Sequence, residues 1–283
     1  MRGGYVNKTQ LMQFLHEASG GGGVSVGNVL ARIYDSLVYW DVFSEIPLSG
    51  NLIFDFQINF LVVQNYQQRG ILENIVKGPA LIPARYNAAI AAIVIEKDKQ
   101  ESIGSGSVVS HNGKVFVLTN RHVVDPSEQI KICKVLLADK DYPPPSPSNL
   151  VISNNDDLAA FPISVPEDGP KFSLGDAAYV LQEVILLGFP KIPLTKRPHL
   201  TAHSGEINAT IVTRNDEELY LISNYASPGS SGGPLIDYRG LIIGVVSDSL
   251  EAEYEEAIFQ HSAAVTLPRV RMFLESKVLS AFS

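Results

Sequence analysis

From residue 88 onward, the chain is a series of short apolar runs that alternate with turn-forming segments. Such runs, rich in β-branched residues and often of period two, are typical of strands. The predicted strands are Ala91–Ile95, Ser107–Val109, Lys114–Leu118, Ile130–Leu137, Leu150–Ile152, Ala178–Leu187, Glu206–Val212, Glu218–Ser223, Leu241–Val246 and Ala263–Val265. The proline-rich segment Tyr142–Ser148 is a predicted loop, because proline cannot donate to a strand ladder. Many short strands in about 200 residues favour an all-β barrel or sandwich.

One turn among these strands has a composition suited to catalysis. In Ser227–Leu235, Ser231 lies between Gly229 and the pair Gly232–Gly233. Glycine permits positive φ angles and close approach of a ligand to the main chain. The N–H groups of Gly229 and Ser231 are spaced so that both could point at one oxygen, as an oxyanion hole requires. The alternative is a glycine-rich hairpin in which the serine hydroxyl bonds only to its own turn.

A serine nucleophile needs a base and a group that orients the base, and both types of residue lie upstream. His122 ends an apolar run, and Asp156 and Asp157 precede the apolar segment Leu158–Phe161. Singly, such a histidine is commonly a structural residue, and such an acidic pair is commonly a solvated turn. The order His, Asp, Ser, each beside a predicted strand, indicates a catalytic triad.

Three segments resemble the active-site motifs of trypsin-like serine proteases, namely Thr119–Val124, Asp157–Ala159 and Gly229–Leu235. The bacterial HtrA branch of that family is the most similar. Two further segments, Gly104–Val109 and Leu187–Pro190, resemble its strand before the histidine loop and its Gly-aromatic-Pro segment. The resemblance extends from Asn87 to Glu275.

The resemblance implies two packed six-stranded β-barrels over residues 84–283, with the active site in the cleft between them. His122 and Asp157 would come from the first barrel and Ser231 from the second. Asp157 is preferred to its neighbour Asp156 because it directly precedes Leu-Ala, as in the family motif. A helix over Pro268–Val278 is expected to pack on the second barrel.

The same resemblance assigns roles within the site. His122 would be the general base, Asp157 its orienting partner, Ser231 the nucleophile, and the N–H groups of Gly229 and Ser231 the oxyanion hole. Substrate contacts are expected at Tyr225, Ala226, Ser247, Asp248 and Ser249. Asp248 and the following glutamates could form an acidic rim that favours basic substrate residues, or only a solvated acidic loop.

Ser230 departs from the family pattern. Digestive members carry an aspartate beside the nucleophile, which pairs with a newly cut N-terminus to complete the site. With serine at this position, that zymogen switch is not expected. Regulation through the N-terminal part of the chain is the alternative that we consider.

Composition restricts the class of partner and the compartment. The 22 basic and 30 acidic residues give a formal net charge of −8. This charge does not favour binding to nucleic acid or to an anionic membrane. Cys133 is the single cysteine, so an internal disulfide is excluded and a reducing compartment is favoured. The sequence contains no recognisable signal peptide or membrane-spanning run. The chain is therefore expected in the cytoplasm, and its motifs imply neither a cofactor nor a metal.

Residues 1–83 are expected to form a separate, small all-α domain. The predicted helices are Gln10–His16, Val29–Trp40, Phe56–Gln68 and Leu72–Val76, with Gly70 as a cap. The stretch Asn59–Val76, followed by Pro83, resembles the end of bacterial effector-associated domains, which are death-fold-like adaptor modules of cell-death systems. That resemblance implies a partner protein with a matching domain and suggests a pore-forming cell-death protein as a substrate. The alternative is a plain helical cap on residues 84–283.

The preferred function is an intracellular serine endopeptidase that cleaves protein substrates, in a bacterial defence or cell-death pathway. The first alternative is a catalytically silent protease-fold adaptor, which the complete set of triad residues disfavours. The second is an esterase of the same acyl chemistry. The segment Gly229–Gly233 lacks the Gly-x-Ser-x-Gly pattern of α/β hydrolases.

Overall fold

The computed structural model describes residues 5–7, 13, 24–47, 54–138, 140–247, 250–254 and 257–282. Contacts between main-chain positions divide the chain into two compact units, Met1–Leu81 and Ile82–Ser283. The division falls two residues before the domain boundary predicted at residue 83.

The N-terminal unit contains both helices and a small sheet. Its helices are α1 (Val24–Tyr39), α2 (Phe60–Gln68) and α3 (Ile71–Lys77). Strands β1 (Tyr5–Asn7), β2 (Phe43–Pro47) and β3 (Phe54–Ile58) form an antiparallel sheet in the order β1-β3-β2. The predicted helices near α1, α2 and α3 are confirmed, but the expectation that the unit is helical throughout is wrong. The predicted helix Gln10–His16 lies outside the described residues except for Gln13.

The sequence contains the reason for this correction. Phe54, Phe56 and Ile58 alternate with two polar residues, which is the period of a strand rather than of a helix. The helix predicted from Phe56 therefore begins only after Asn59, whose side chain accepts a hydrogen bond from the amide of Val62 at 3.3 Å and caps α2.

The C-terminal unit begins with the short helix α4 (Ile82–Tyr86) and then forms two seven-stranded sheets. The strands of the first sheet are β4 (Ile90–Lys97), β5 (Gln100–His111), β6 (Lys114–Thr119), β7 (Lys131–Leu137), β8 (Lys140–Tyr142), β9 (Val151–Ile152) and β10 (Ala159–Pro162). Their order is β8-β7-β4-β5-β6-β10-β9. The short helix α5 (Arg121–Val124) directly follows β6. This sheet differs from the expected six-stranded barrel, because the short strands β8 and β9 extend its two edges and are not paired with each other in the described chain.

The second sheet closes on itself. Its strands are β11 (Glu183–Gly188), β12 (Thr201–Val212), β13 (Glu218–Ile222), β14 (Pro234–Ile236), β15 (Ile242–Val246), β16 (Leu250–Tyr254) and β17 (Ala257–Thr266). The order is β13-β12-β11-β14-β15-β17-β16, and β13 also pairs with β17. Six strands thus form a closed barrel, as expected, with β16 attached outside it. Helix α6 (Leu267–Phe273) and the helical turns that follow to Ala281 confirm the predicted C-terminal helix.

The first sheet and part of the second share one hydrophobic core, and a separate buried cluster lies within the second sheet. Residues of the first sheet such as Phe116 and Phe161 belong to the same buried cluster as Ile242 and Val265 of the second. Buried apolar area of this kind is the main source of folding free energy. The shared core fixes the ends of β6, β10 and β15 relative to one another, and the candidate site lies at those ends.

Candidate active site

His122 and Asp157 are brought together by the pairing of two neighbouring strands. Thr119 at the end of β6 lies opposite Ala159 at the start of β10, so the segments beyond these ends are adjacent. His122 Nδ1 lies 2.7 Å from Asp157 Oδ2, and the His122 amide donates to Asp157 Oδ1 at 3.1 Å. The aspartate therefore contacts both the ring and the main chain of the histidine, which fixes the orientation of the imidazole.

The environment of Asp157 keeps it ionised. Burial by itself would raise the pKa of this carboxyl, but the hydrogen bonds and charge of His122, together with the hydroxyl of Ser247, outweigh burial and lower the pKa. Ser247 Oγ donates to Asp157 Oδ2 at 2.8 Å, and Asn120 Nδ2 donates to the Asp157 carbonyl at 2.7 Å. An ionised carboxylate in this position can stabilise a protonated imidazole.

The neighbouring carboxylate, Asp156, serves a different purpose. Its Oδ1 accepts a hydrogen bond from Nε of Arg269 on helix α6 at 2.6 Å, and its side chain is 7% exposed. Asp156 thus connects the aspartate loop to the C-terminal helix, whereas Asp157 faces the histidine. In the described chain, Asp157 makes the contact with His122, and Asp156 makes the contact with Arg269.

Ser231 lies in a tight turn whose main chain is held from several sides. The Ser230 amide donates to the Ser227 carbonyl at 2.9 Å, and the Gly233 amide donates to the Ser230 carbonyl at 3.0 Å. The Gly232 amide donates to the carbonyl of Val246 at 2.8 Å, which ties the turn to β15. Ser231 itself is 7% exposed.

This turn lies beside the histidine–aspartate pair. Gly232 bonds to Val246, and the next residue, Ser247, bonds to Asp157. A Cβ built on Gly232 would lie 3.1 Å from the amide nitrogen of Asn120, two residues before His122. The second sheet therefore carries Ser231 to the same end of the C-terminal unit where the first sheet places His122 and Asp157.

Gly229 has a main-chain conformation that requires glycine. Its φ is +99°, and a Cβ at this position would lie 2.5 Å from the Phe189 carbonyl oxygen, so only glycine fits. Within the part of the chain that the structure describes, the Gly229 amide donates no hydrogen bond. It is thus available to an acceptor from outside the chain.

Replacing Gly232 by alanine is expected to destabilise the fold. Gly232 has φ +85°, and a Cβ there would overlap the Ser105 carbonyl oxygen and the Thr119 hydroxyl. Left-handed strain and overpacking together should cost about 3 kcal/mol or more, a fall in Tm of roughly 6–12 °C. Gly113→Ala is the control, since Gly113 has φ +75° with nothing within 4 Å of its Cβ position. Equal losses of Tm in the two variants would contradict the steric argument.

The predicted substrate contacts have different positions. Tyr225 is 65% exposed, and its ring centroid lies 6.3 Å from that of His203. Ala226 is buried, and its amide donates to Ser262 Oγ at 3.0 Å. Ser247 contacts Asp157 through its hydroxyl, a contact that the sequence did not indicate. Asp248 and Ser249 lie outside the described residues.

A polar cavity of about 490 Å³ lies beside the chain segments that carry His122 and Asp157. It is lined by Arg121, Asn154, Asn155, Asn215, Asp216, Glu217 and Arg269. Burial raises the pKa of Glu217, and the charge of Asp157 raises it further. This cavity could not be identified from the sequence, because the loop between β12 and β13 meets the loop before Asp157 only in the folded chain.

Within the described ranges, no three side chains of His, Cys, Asp or Glu cluster as they would around a metal ion. Among the helices that the structure describes, none has the length and apolar character needed to cross a bilayer.

A family model and several known proteins match this chain. The family model described as "Trypsin-like peptidase domain" matches residues 104–245. A probable periplasmic serine endoprotease DegP-like of Marinomonas sp. is 30% identical over 159 residues, covering 54% of this chain and 31% of that protein. The serine protease Do-like HtrA of Lactobacillus helveticus is 32% identical over 160 residues, covering 53% of this chain and 36% of that protein.

A solved structure, that of the Rv3671c protease from M. tuberculosis in its active form, is 24% identical with a TM-score of 0.53. The match covers 69% of this chain and 82% of that one, and at this identity it shows the fold alone. The chain spans between 24% and 37% of the length of the curated relatives that it matches. The match to the family model, which covers half of the chain and includes His122, Asp157 and Ser231, shows that the chain belongs to the trypsin-like peptidase family.

Proposed function

We propose that the chain is a serine endopeptidase that cleaves polypeptides through a covalent acyl-enzyme. The observation that carries this proposal is the oriented pair of His122 and Asp157 beside the glycine-flanked turn of Ser231. Family membership and the relatives named as serine proteases support it.

In the proposed reaction, His122 accepts the proton of the Ser231 hydroxyl as its oxygen attacks the substrate carbonyl carbon. Asp157 stabilises the imidazolium that results. The amides of Gly229 and Ser231 donate to the oxygen that becomes negative, each contributing about 3 kcal/mol. His122 then gives its proton to the leaving amine, and water repeats the sequence to release the acid and restore the serine.

The test is chemical labelling of the full chain with a fluorophosphonate probe, combined with hydrolysis of casein. We expect one adduct, located on Ser231 by peptide mapping, and casein cleavage that prior labelling abolishes. An adaptor without activity would show neither result. An esterase would be labelled but would leave casein intact, so the two measurements separate all three functions.

A further inference from the structure

Ser105 lies behind the turn of Ser231 and takes no part in the reaction described above. It belongs to strand β5 of the first sheet and is fully buried. Its side-chain hydroxyl donates to the Gly229 carbonyl oxygen at 2.6 Å, and its amide donates to the Ser231 carbonyl oxygen at 2.8 Å. One residue of the first sheet thus holds both ends of the segment that supplies the two proposed oxyanion donors.

The hydroxyl of Ser105 is itself fixed by a second partner. The Phe189 amide donates to Ser105 Oγ at 2.8 Å. Because the hydroxyl accepts this hydrogen bond, its own proton is directed to the Gly229 carbonyl. The Thr119 hydroxyl donates to the Ser105 carbonyl oxygen at 2.6 Å, which anchors the main chain of β5 in turn.

The orientation of the Gly229 carbonyl matters for the neighbouring amides. Each peptide unit is planar, so fixing the Gly229 oxygen also fixes the amide of Ser230, which donates to Ser227. With the Ser231 carbonyl fixed as well, the remaining freedom of the segment is small. We infer that Ser105 is a positioning residue that holds Gly229 and Ser231 in the conformation in which their amides form the oxyanion hole.

This inference rests on the proposed function, and it assigns to Ser105 an effect on rate rather than on substrate binding. Loss of the hydroxyl would let the segment between Gly229 and Ser231 sample other conformations. The reaction with an electrophile that develops negative charge on oxygen would then slow, whereas the initial noncovalent binding would change little.

The experiment compares Ser105→Ala with Ser107→Ala in the full chain. Ser107 lies two residues further along the same strand and is also fully buried, and its hydroxyl has no hydrogen-bond partner in the described chain. The maximal rate of labelling by a fluorophosphonate should fall roughly 10- to 100-fold in Ser105→Ala, with a half-saturating probe concentration close to that of the native chain. Ser107→Ala should label within about twofold of the native rate.

Two further readouts separate positioning from general loss of structure. The downfield proton resonance of His122 Nδ1 should persist in Ser105→Ala, because Ser105 does not touch the pair of His122 and Asp157. Ser105→Cys, which keeps a side-chain donor but a larger and weaker one, should label at an intermediate rate and remains testable if Ser105→Ala does not fold. Native labelling rates in both Ser105 variants, or equal loss of rate in the Ser107 control, would overturn the inference.

A failure of the proposed function would give a different result from a failure of the inference about Ser105. If the native chain does not react with the probe, the inference about Ser105 is decided by amide hydrogen exchange over residues 227–233. Faster exchange in Ser105→Ala than in Ser107→Ala would support it, and unchanged exchange would overturn it.

Discussion

The Ser231→Ala variant is expected to lose labelling by a fluorophosphonate completely and to cleave casein about 10⁶-fold more slowly than the native chain. The hydroxyl is the atom that would form the acyl bond, and no described neighbour can replace it: the adjacent hydroxyl of Ser230 is buried without a hydrogen-bond partner in the described chain. Tm should remain within a few degrees of the native value, because the change removes a single oxygen. Quantitative labelling followed by mass spectrometry measures the first effect.

Ser230→Ala is the matched control. The change again removes one hydroxyl from the same turn. Burial of this hydroxyl costs desolvation free energy that no hydrogen bond in the described chain offsets. We therefore expect a native labelling rate and an equal or higher Tm. Loss of labelling in Ser230→Ala together with labelling of Ser231→Ala would identify the neighbouring residue as the nucleophile and contradict the proposed function.

The Asp157→Asn variant is expected to lower the rate of casein cleavage about 10⁴-fold. An asparagine can present its amide group to Nδ1 of His122, which favours the tautomer that cannot accept the proton of Ser231. It also removes the negative charge that stabilises the imidazolium. Initial rates near neutral pH and the disappearance of the downfield Nδ1 proton resonance measure the two effects.

Asp156→Asn distinguishes the catalytic carboxylate from its neighbour. This change breaks the ion pair with Arg269 and should lower stability by about 1–3 kcal/mol. The pair of His122 and Asp157 is untouched, so the rate of cleavage below the unfolding transition should fall by less than about threefold. A rate loss in Asp156→Asn as large as that in Asp157→Asn would contradict the assignment of the two aspartates.

The sequence motifs pointed to the residues of the candidate site because each of them follows or precedes a strand with a strong apolar pattern. The order of His122, Asp157 and Ser231 along the chain, in separate loops beside strands, was sufficient to predict that they converge. The supporting contacts could not be predicted in this way. Ser105 and Ser247 meet the site only through contacts between residues more than 80 positions apart, and an isolated serine on a strand gives no signal of such a contact.

In the N-terminal unit, the sequence patterns predicted the secondary structure less well. Its apolar segments were assigned to helices, which the structure confirms at Val24–Tyr39, Phe60–Gln68 and Ile71–Lys77. In Phe54–Ile58 the strict alternation indicates a strand, but the segment is only five residues long and adjoins a true helix. Short apolar segments of this kind are ambiguous until their pairing partner is known, and here the partners are strands on either side.

The hydrogen bond from Ser247 to Asp157 joins the closed barrel to the open sheet at the proposed site of catalysis. Catalytic alignment therefore depends on how the two halves of the peptidase unit dock, and not only on the integrity of each half. Slight heating that loosens this docking should therefore abolish cleavage activity several degrees below the temperature at which circular dichroism detects a loss of β-structure. The rate of substrate cleavage would in that case be the most sensitive measure of how well the two halves are docked.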